Sequence, residues 1–291
     1  VKKIVIPIKI RINMKDEKEA VQALNNHASK CILRGPCTLA SGDSCNARCP
    51  SYVAMHGFSG TGGRVGSAGV PADYRLLTLA TSPVAKADID VYVGPDKRKL
   101  NAIIREYVST FTRMFDGGER VKSLYLYSES PGTGKTTTAA ALINEWLIVN
   151  YIGSLKRGRQ PFDRPAVFLD VNEWQSLYNQ FNRPRVPDSI AQPAAARYYE
   201  AQEAAKSAPF AVLDDIGLRE ASEGFRGDLH AIINERVTSG RPTVYTSNLP
   251  MAEMADVFDA RLADRIRDQC VELNFTGTSK RGMRKTNGGE R

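Results

Sequence analysis

The sequence contains no run of about 18 uncharged apolar residues, the length a membrane-crossing helix needs, so no membrane partner is expected. It shows no internal repeat, which sets repeat architectures aside. Its opening, VKKIVIPIKIRI, lacks the unbroken apolar core of a signal peptide and alternates Ile or Val with Lys or Arg, as an edge strand does. A cytoplasmic location is therefore expected, and a reducing compartment disfavours structural disulfides. Cysteine is scarce as well: 5 in 291 residues, none in a C-x-x-C pair. Four of them (Cys31, Cys37, Cys45, Cys49) nevertheless fall within 19 residues, and Cys270 stands apart as an ordinary buried thiol.

What is present is ordinary for a globular chain: 42% apolar and 25% charged residues. At about 150 residues per domain there is material for two domains. Forty basic and 32 acidic side chains leave +8, of which residues 1–94 supply +5 (12 against 7). Such a surplus tolerates an anionic partner without specifying one. Three zones differ in texture: a cysteine-rich domain over 1–94, an α/β domain over 95–282, and a basic tail over 283–291. Six glycines between Gly57 and Gly69 leave few side chains to bury, so that stretch reads as loop.

The middle zone alternates helical periodicity with short apolar runs. Helical spacing covers 103–115 and 136–152; strands are expected at 123–128, 166–171, 210–216 and 243–248. Nearly continuous apolar runs ending in acids are typical of buried parallel strands. The predicted fold is therefore α/β, a parallel sheet covered on both faces, with its ligand at the carboxyl ends of the strands.

Between the strand at 123–128 and the helix at 136 stands SESPGTGKTTT. Glycines let the backbone curl so that successive N–H groups point at phosphate oxygens, and the helix N-terminus adds partial positive charge. Pro131, Gly132, Thr133, Gly134, Lys135, Thr136 and Thr137 are the candidate nucleotide-binding residues. Lys135 would reach the β- and γ-phosphates of ATP, and the Thr136 hydroxyl would bind Mg²⁺. The usual P-loop has glycine where this chain has Glu129, so the start of the loop must differ locally. FAVLDDIG delivers Asp214 and Asp215 to a strand end: Asp214 for Mg²⁺, Asp215 to orient or deprotonate the attacking water. Asn248, ending VYTSN, can hold that water or sense the γ-phosphate. Arg261, Arg265 and Arg267 lie along the helical stretch 259–268, with Arg261 and Arg265 on one face. Arg265 is the candidate for a role in trans on a neighbouring subunit's γ-phosphate. In GTSKR (277–281), Arg281 would return over the chain's own nucleotide.

GTGKTT, VLDDIG, YTSNL, RLADRIRD and GTSKR, in that order over about 100–282, resemble AAA+ ATPases, and more narrowly the replicative-helicase loaders of the DnaC/DnaI type. The resemblance implies a Mg-dependent ATPase that assembles side by side, with Arg265 as arginine finger and Arg281 as second sensor. It also implies a hexameric replicative helicase as partner, delivered onto single-stranded DNA in replication initiation. An IstB-like transposition helper and a nucleotide-gated adaptor with little hydrolysis are the alternatives.

The four clustered thiols suit tetrahedral Zn²⁺, with His56 as alternative ligand to Cys31. A small Gly-rich segment needs such a staple, and DnaI-like loaders are similar in carrying a zinc-bearing domain that docks on the helicase. Four cysteines are also the ligand set of a [4Fe–4S] cluster, and reduced thiols are the third possibility. Between the strands at 166–171 and 210–216, Trp174, Leu177, Tyr178 and Phe181 have the spacing of a packing face. A second helix is expected from near Ala194. Arg183, Arg185, Tyr198 and Tyr199 combine charge and aromaticity as single-stranded DNA binders do.

Overall fold

A computed structural model describes residues 27–276 apart from 43, 118, 218–220, 258 and 259. The expected strand at the amino terminus and the basic tail lie outside the described residues. The frame is a seven-stranded sheet in the order β2-β1-β7-β3-β6-β5-β4. Its strands are β1 (Asp90–Val93), β2 (Asp96–Lys99), β3 (Ser123–Tyr127), β4 (Ala166–Asp170), β5 (Phe210–Asp214), β6 (Thr243–Ser247) and β7 (Cys270–Phe275). The five from β7 to β4 are mutually parallel; β1 and β2 form an antiparallel hairpin added at β7. Gly94 turns that hairpin at φ +59°, in a two-residue turn that places glycine first.

Alternation along each strand sorts side chains between two cores. Leu124, Leu126 and Phe168 join one apolar cluster; Tyr125, Tyr127, Val167 and Leu169 join the other. The first cluster is built around the long helix that follows β3 (Lys135–Lys156), with the helix Leu100–Ser109 beside it. The second holds the helices Val171–Asn182, Asp188–Ser207, Glu223–Thr238 and Ala260–Gln269. Counting with the short helices Pro50–His56, Gly63–Ser67, Pro83–Lys86 and Met254–Val257, these are α1 to α10 in chain order: α4 is Leu100–Ser109, α5 Lys135–Lys156, α6 Val171–Asn182, α7 Asp188–Ser207, α8 Glu223–Thr238 and α10 Ala260–Gln269. Among the described residues no helix is long and apolar enough to cross a membrane.

The cysteine-bearing segment rests on α5. Ile32, Leu33, Met55 and Val65 belong to the same apolar cluster as Trp146 and Tyr151. Buried Asn144 donates to the Tyr74 and Leu77 carbonyls (2.8 and 2.7 Å), and Phe168 N–H donates to Ala68 O at 2.7 Å. The Arg64 guanidinium donates to the Pro161 and Phe162 carbonyls and stacks over Tyr151. The glycines of 57–69 do more than make loop. A Cβ on Gly63 would lie 2.5 Å from the Met55 carbonyl carbon, so glycine lets α1 and α2 meet backbone to backbone. The helix expected from Ala194 starts at Asp188, carrying Pro193 within it.

Candidate active site

The nucleotide motif sits where β3 ends and α5 begins. Gly132 and Gly134 adopt φ of +74° and +107°, the left-handed turn that lets the backbone curl before Lys135 opens the helix. A Cβ on Gly134 would lie 2.8 Å from Val84 Cγ2, so α3 packs directly across the loop. Thr133 is buried in the loop with its hydroxyl unpartnered, and Pro131 is exposed at its crown. Thr137 lies in the first turn of α5. Glu129 is exposed, and its carboxylate accepts from Tyr127 Oη at 3.0 Å. Burial and that carboxylate push the phenol up to about 12. The Glu129 charge is thereby drawn to Tyr127, which meets the local difference expected at the loop's start.

Three adjacent strand ends supply the partners. Lys135 is buried, and its ammonium donates to Asn248 Oδ1 at 2.8 Å and to the carbonyls of Ser128 and Ser130. Asn248 follows β6, which lies beside β3. Asp214 ends β5; its Oδ2 accepts from Thr136 Oγ1 at 3.1 Å and its Oδ1 from Thr246 Oγ1 at 2.7 Å. Burial raises the Asp214 carboxyl to about 6, the two hydroxyls oppose that shift, and Asp170 and Asp215 add to it. A desolvated carboxylate beside a hydroxyl is a hard oxygen pair of the kind Mg²⁺ takes, so Thr136 and Asp214 fit the ion assigned to them.

Asp215 adopts φ +62°, a left-handed conformation uncommon for aspartate. Its N–H donates to Thr246 Oγ1 at 2.8 Å, which pins the strained residue. Its carboxylate accepts from Asn172 Nδ2 at 2.9 Å and from Asn248 Nδ2 at 3.4 Å. Lys135, Asn248, Asp215 and Asn172 thus form one hydrogen-bonded line across the mouth of the sheet. Asn172 was not among the expected residues. The signal for it is slight: a polar residue in the first turn after a strand-ending acid, where Asp170 caps α6 by accepting from the N–H groups of Asn172 and Glu173.

Arg265 is not gathered into this line. It projects from α10 into an open cleft shared with His230, Asn234 and Arg261, and donates to Asn234 Oδ1 at 2.8 Å. Arg281 lies outside the described residues. Trp174, Leu177, Tyr178 and Phe181 pack into the core as their spacing predicts. Tyr198 requires a correction: it is fully buried, stacked on Trp174 at 4.6 Å, with its hydroxyl on Asp228 Oδ2 at 2.6 Å, and cannot reach DNA. Tyr199 is 54% exposed, and Arg183 and Arg185 are exposed near it in sequence.

The four clustered cysteines line a single pocket. His56 does not join them. Its Nε2 accepts the Ile32 N–H at 3.0 Å, and burial lowers its pKa to about 4, so the ring is neutral with its one lone pair engaged. Among the described residues no three His, Cys, Asp or Glu side chains form a group able to hold a metal ion, so the expected tetrahedral zinc cage is not formed by this arrangement.

No protein-family model matches the chain. It is similar to the replicative helicase loader DnaC of Escherichia coli K12, 26% identical over 171 residues, 58% of this chain and 58% of that protein. The same figures hold for DnaC of Shigella flexneri. The chain thus spans about 58% of the length of the curated relatives it matches. Among solved structures it is similar to DnaI (23% identity, TM-score 0.46, covering 72% of this chain and 94% of that one). It is also similar to the DnaC helicase loader (19% identity, TM-score 0.46, covering 71% and 100%). The resemblance to DnaC-type loaders is therefore a likeness of extended sequence as well as of motifs.

Proposed function

We propose that this chain is a Mg-dependent ATPase that binds a hexameric replicative helicase and delivers it onto single-stranded DNA. The observation that carries the proposal is the convergence of Lys135, Thr136, Asp214, Asp215 and Asn248 on one hydrogen-bonded strand edge, in a chain similar to DnaC. ATP phosphates curl into the loop 129–134 beneath the α5 N-terminus, and Lys135 exchanges Asn248 for phosphate oxygens. Magnesium, when bound with the triphosphate, neutralises charge between the β- and γ-phosphates, and Thr136 and Asp214 are the residues that would hold it. Asn248, released from Lys135, turns its amide to the attacking water. Asp215 accepts a proton from that water as its oxygen bonds to the γ-phosphorus and the bond to the ADP oxygen breaks. Arg265 acts on a neighbouring subunit's γ-phosphate, and Arg281 senses the chain's own.

Tyr199 packs against Phe181 at 6.1 Å between rings and leaves half its surface free, a platform on which a base can stack beside Arg183 and Arg185. Tyr199→Ala is expected to weaken single-stranded DNA binding about 5- to 150-fold at fixed salt, in line with about 1–3 kcal/mol per stacked base. Fluorescence anisotropy with a labelled oligonucleotide checks this, with Tyr178→Phe as a control whose affinity stays unchanged. The adaptor alternative drew on Glu129, and the turn of that carboxylate toward Tyr127 favours hydrolysis instead.

The test of the whole reading is ATP turnover stimulated by single-stranded DNA, with complex formation on candidate helicases followed with and without ATP. Lys135→Ala should weaken nucleotide binding at least tenfold through loss of a charge-assisted contact. Turnover that survives in this variant would remove the loop from the mechanism. Helicase binding that depends on the cysteine-bearing segment separates the loader from an IstB-like helper.

A further inference from the structure

Tyr127 is the last residue of β3, a strand paired on both sides, where it stands opposite Ser247 of β6 and Asn274 of β7. Its ring is buried in the second apolar cluster, so the sheet fixes where the hydroxyl sits. Glu129, two residues on, is exposed, and several staggered arrangements are open to its side chain. The structure selects one of them: the Tyr127 hydroxyl donates to Glu129 Oε1 at 3.0 Å. Burial first, then the Glu129 carboxylate, with Glu253 and Glu272 adding, push the phenol up to about 12, so it stays a donor at neutral pH.

The neighbouring carbonyls show what the carboxylate is kept from. Lys135 Nζ donates to Ser128 O at 3.2 Å and to Ser130 O at 3.4 Å, the carbonyls on either side of Glu129. The residue between them therefore lies within a side chain's length of the same ammonium. Glycine at that position brings no charge there, but glutamate does, and around a buried lysine the attraction is strong. We infer that Tyr127 is a positioning residue: it holds the Glu129 carboxylate off Lys135, so that the ammonium stays exchangeable for phosphate in a loop that begins with an acid. The inference deepens the ATPase reading and rests on its assignment of phosphate to Lys135. Without the hydroxyl, Glu129 closes an ion pair onto Lys135, and nucleotide must break that pair in order to bind. The same carboxylate would then lie beside the triphosphate and repel it.

The test is a double-mutant cycle on the whole protein, read as the dissociation constant for ATP with magnesium by titration calorimetry. Tyr127→Phe keeps the buried ring and removes the hydroxyl alone. It should weaken binding at least about tenfold, the scale of a hydrogen bond to a charged group. In the Glu129→Gln background, which has no carboxylate to misplace, the same change should cost less than about twofold. Equal losses in both backgrounds mark a merely structural hydroxyl, or a misfolded chain, and overturn the inference; so does unaltered affinity in Tyr127→Phe. Wild type that binds no ATP, or Lys135→Ala that binds it as tightly as wild type, removes the phosphate assignment and this inference with it. Loss of binding in Lys135→Ala with none in Tyr127→Phe removes only the role given to Tyr127.

Discussion

Replacing Asp214 with asparagine should raise the melting temperature of the nucleotide-free protein while lowering hydrolysis about 10²- to 10³-fold. An unfolded aspartate titrates near 3.9, whereas burial lifts Asp214 to about 6 in the native state. Between those values the native chain holds a proton that the unfolded chain has released. Stability from this group is therefore present at low pH and is lost as pH rises through about 4 to 6. At pH 7 the buried anion, facing Asp170 and Asp215, opposes folding by up to about 3 kcal/mol on this two-unit difference. Asparagine keeps partners for Thr136 and Thr246 and removes the charge, so the gain should appear as a rise of a few degrees. Calorimetry checks it, and a fall in melting temperature would refute the account.

The same residue ties stability to function. In the proposed site Mg²⁺ would offset the charge, so magnesium added with nucleotide should raise the melting temperature of the wild type more than that of Asp214→Asn. Below about pH 6 the carboxyl takes up a proton and the cation has no anion to meet. Nucleotide-dependent stabilisation of the wild type should fade through that range.

The four strands that build the site were legible because buried parallel strands are unbroken apolar runs, and three of them end in or lead into an acid or amide, namely Asp170, Asp214 and Asn248. β7 was not. Val271, Leu273 and Phe275 alternate with Glu272 and Asn274, a weaker pattern, and the chain enters it directly from α10. The β1–β2 hairpin escaped for a related reason: all four residues of β2 are exposed, three of them Lys or Arg. Its order comes from Asp90, which receives both Lys97 and Lys99. The start of α7 was hidden by Pro193, which the helix tolerates in its second turn. Tyr198 and Tyr199 looked equivalent in sequence, yet neighbours on a helix point about 100° apart, and Trp174 and Asp228 take one of them into the core. Asn172 became visible only when β4 was placed beside β5, which brings the residues following Asp170 and Asp214 together.

Arg265→Ala should abolish turnover while leaving nucleotide binding intact, with a loss of about 10³- to 10⁵-fold if the guanidinium serves as an arginine finger. Leu262, Ala263 and Ile266 turn inward on α10, which sends Arg261 and Arg265 outward into the cleft against α8. Within one chain Arg265 meets the Asn234 amide rather than Lys135, Thr136 or Asp214. A charge held by a neutral side chain in an open cleft is readily transferred to a phosphate presented by a second copy. Mixing Arg265→Ala with Lys135→Ala, each inactive alone, should then restore hydrolysis, because some interfaces pair an intact loop with an intact finger. Wild-type specific activity should rise with protein concentration for the same reason. If the mixture stays inactive while each variant still assembles, Arg265 acts inside its own chain, and the side-by-side arrangement loses its chemical purpose.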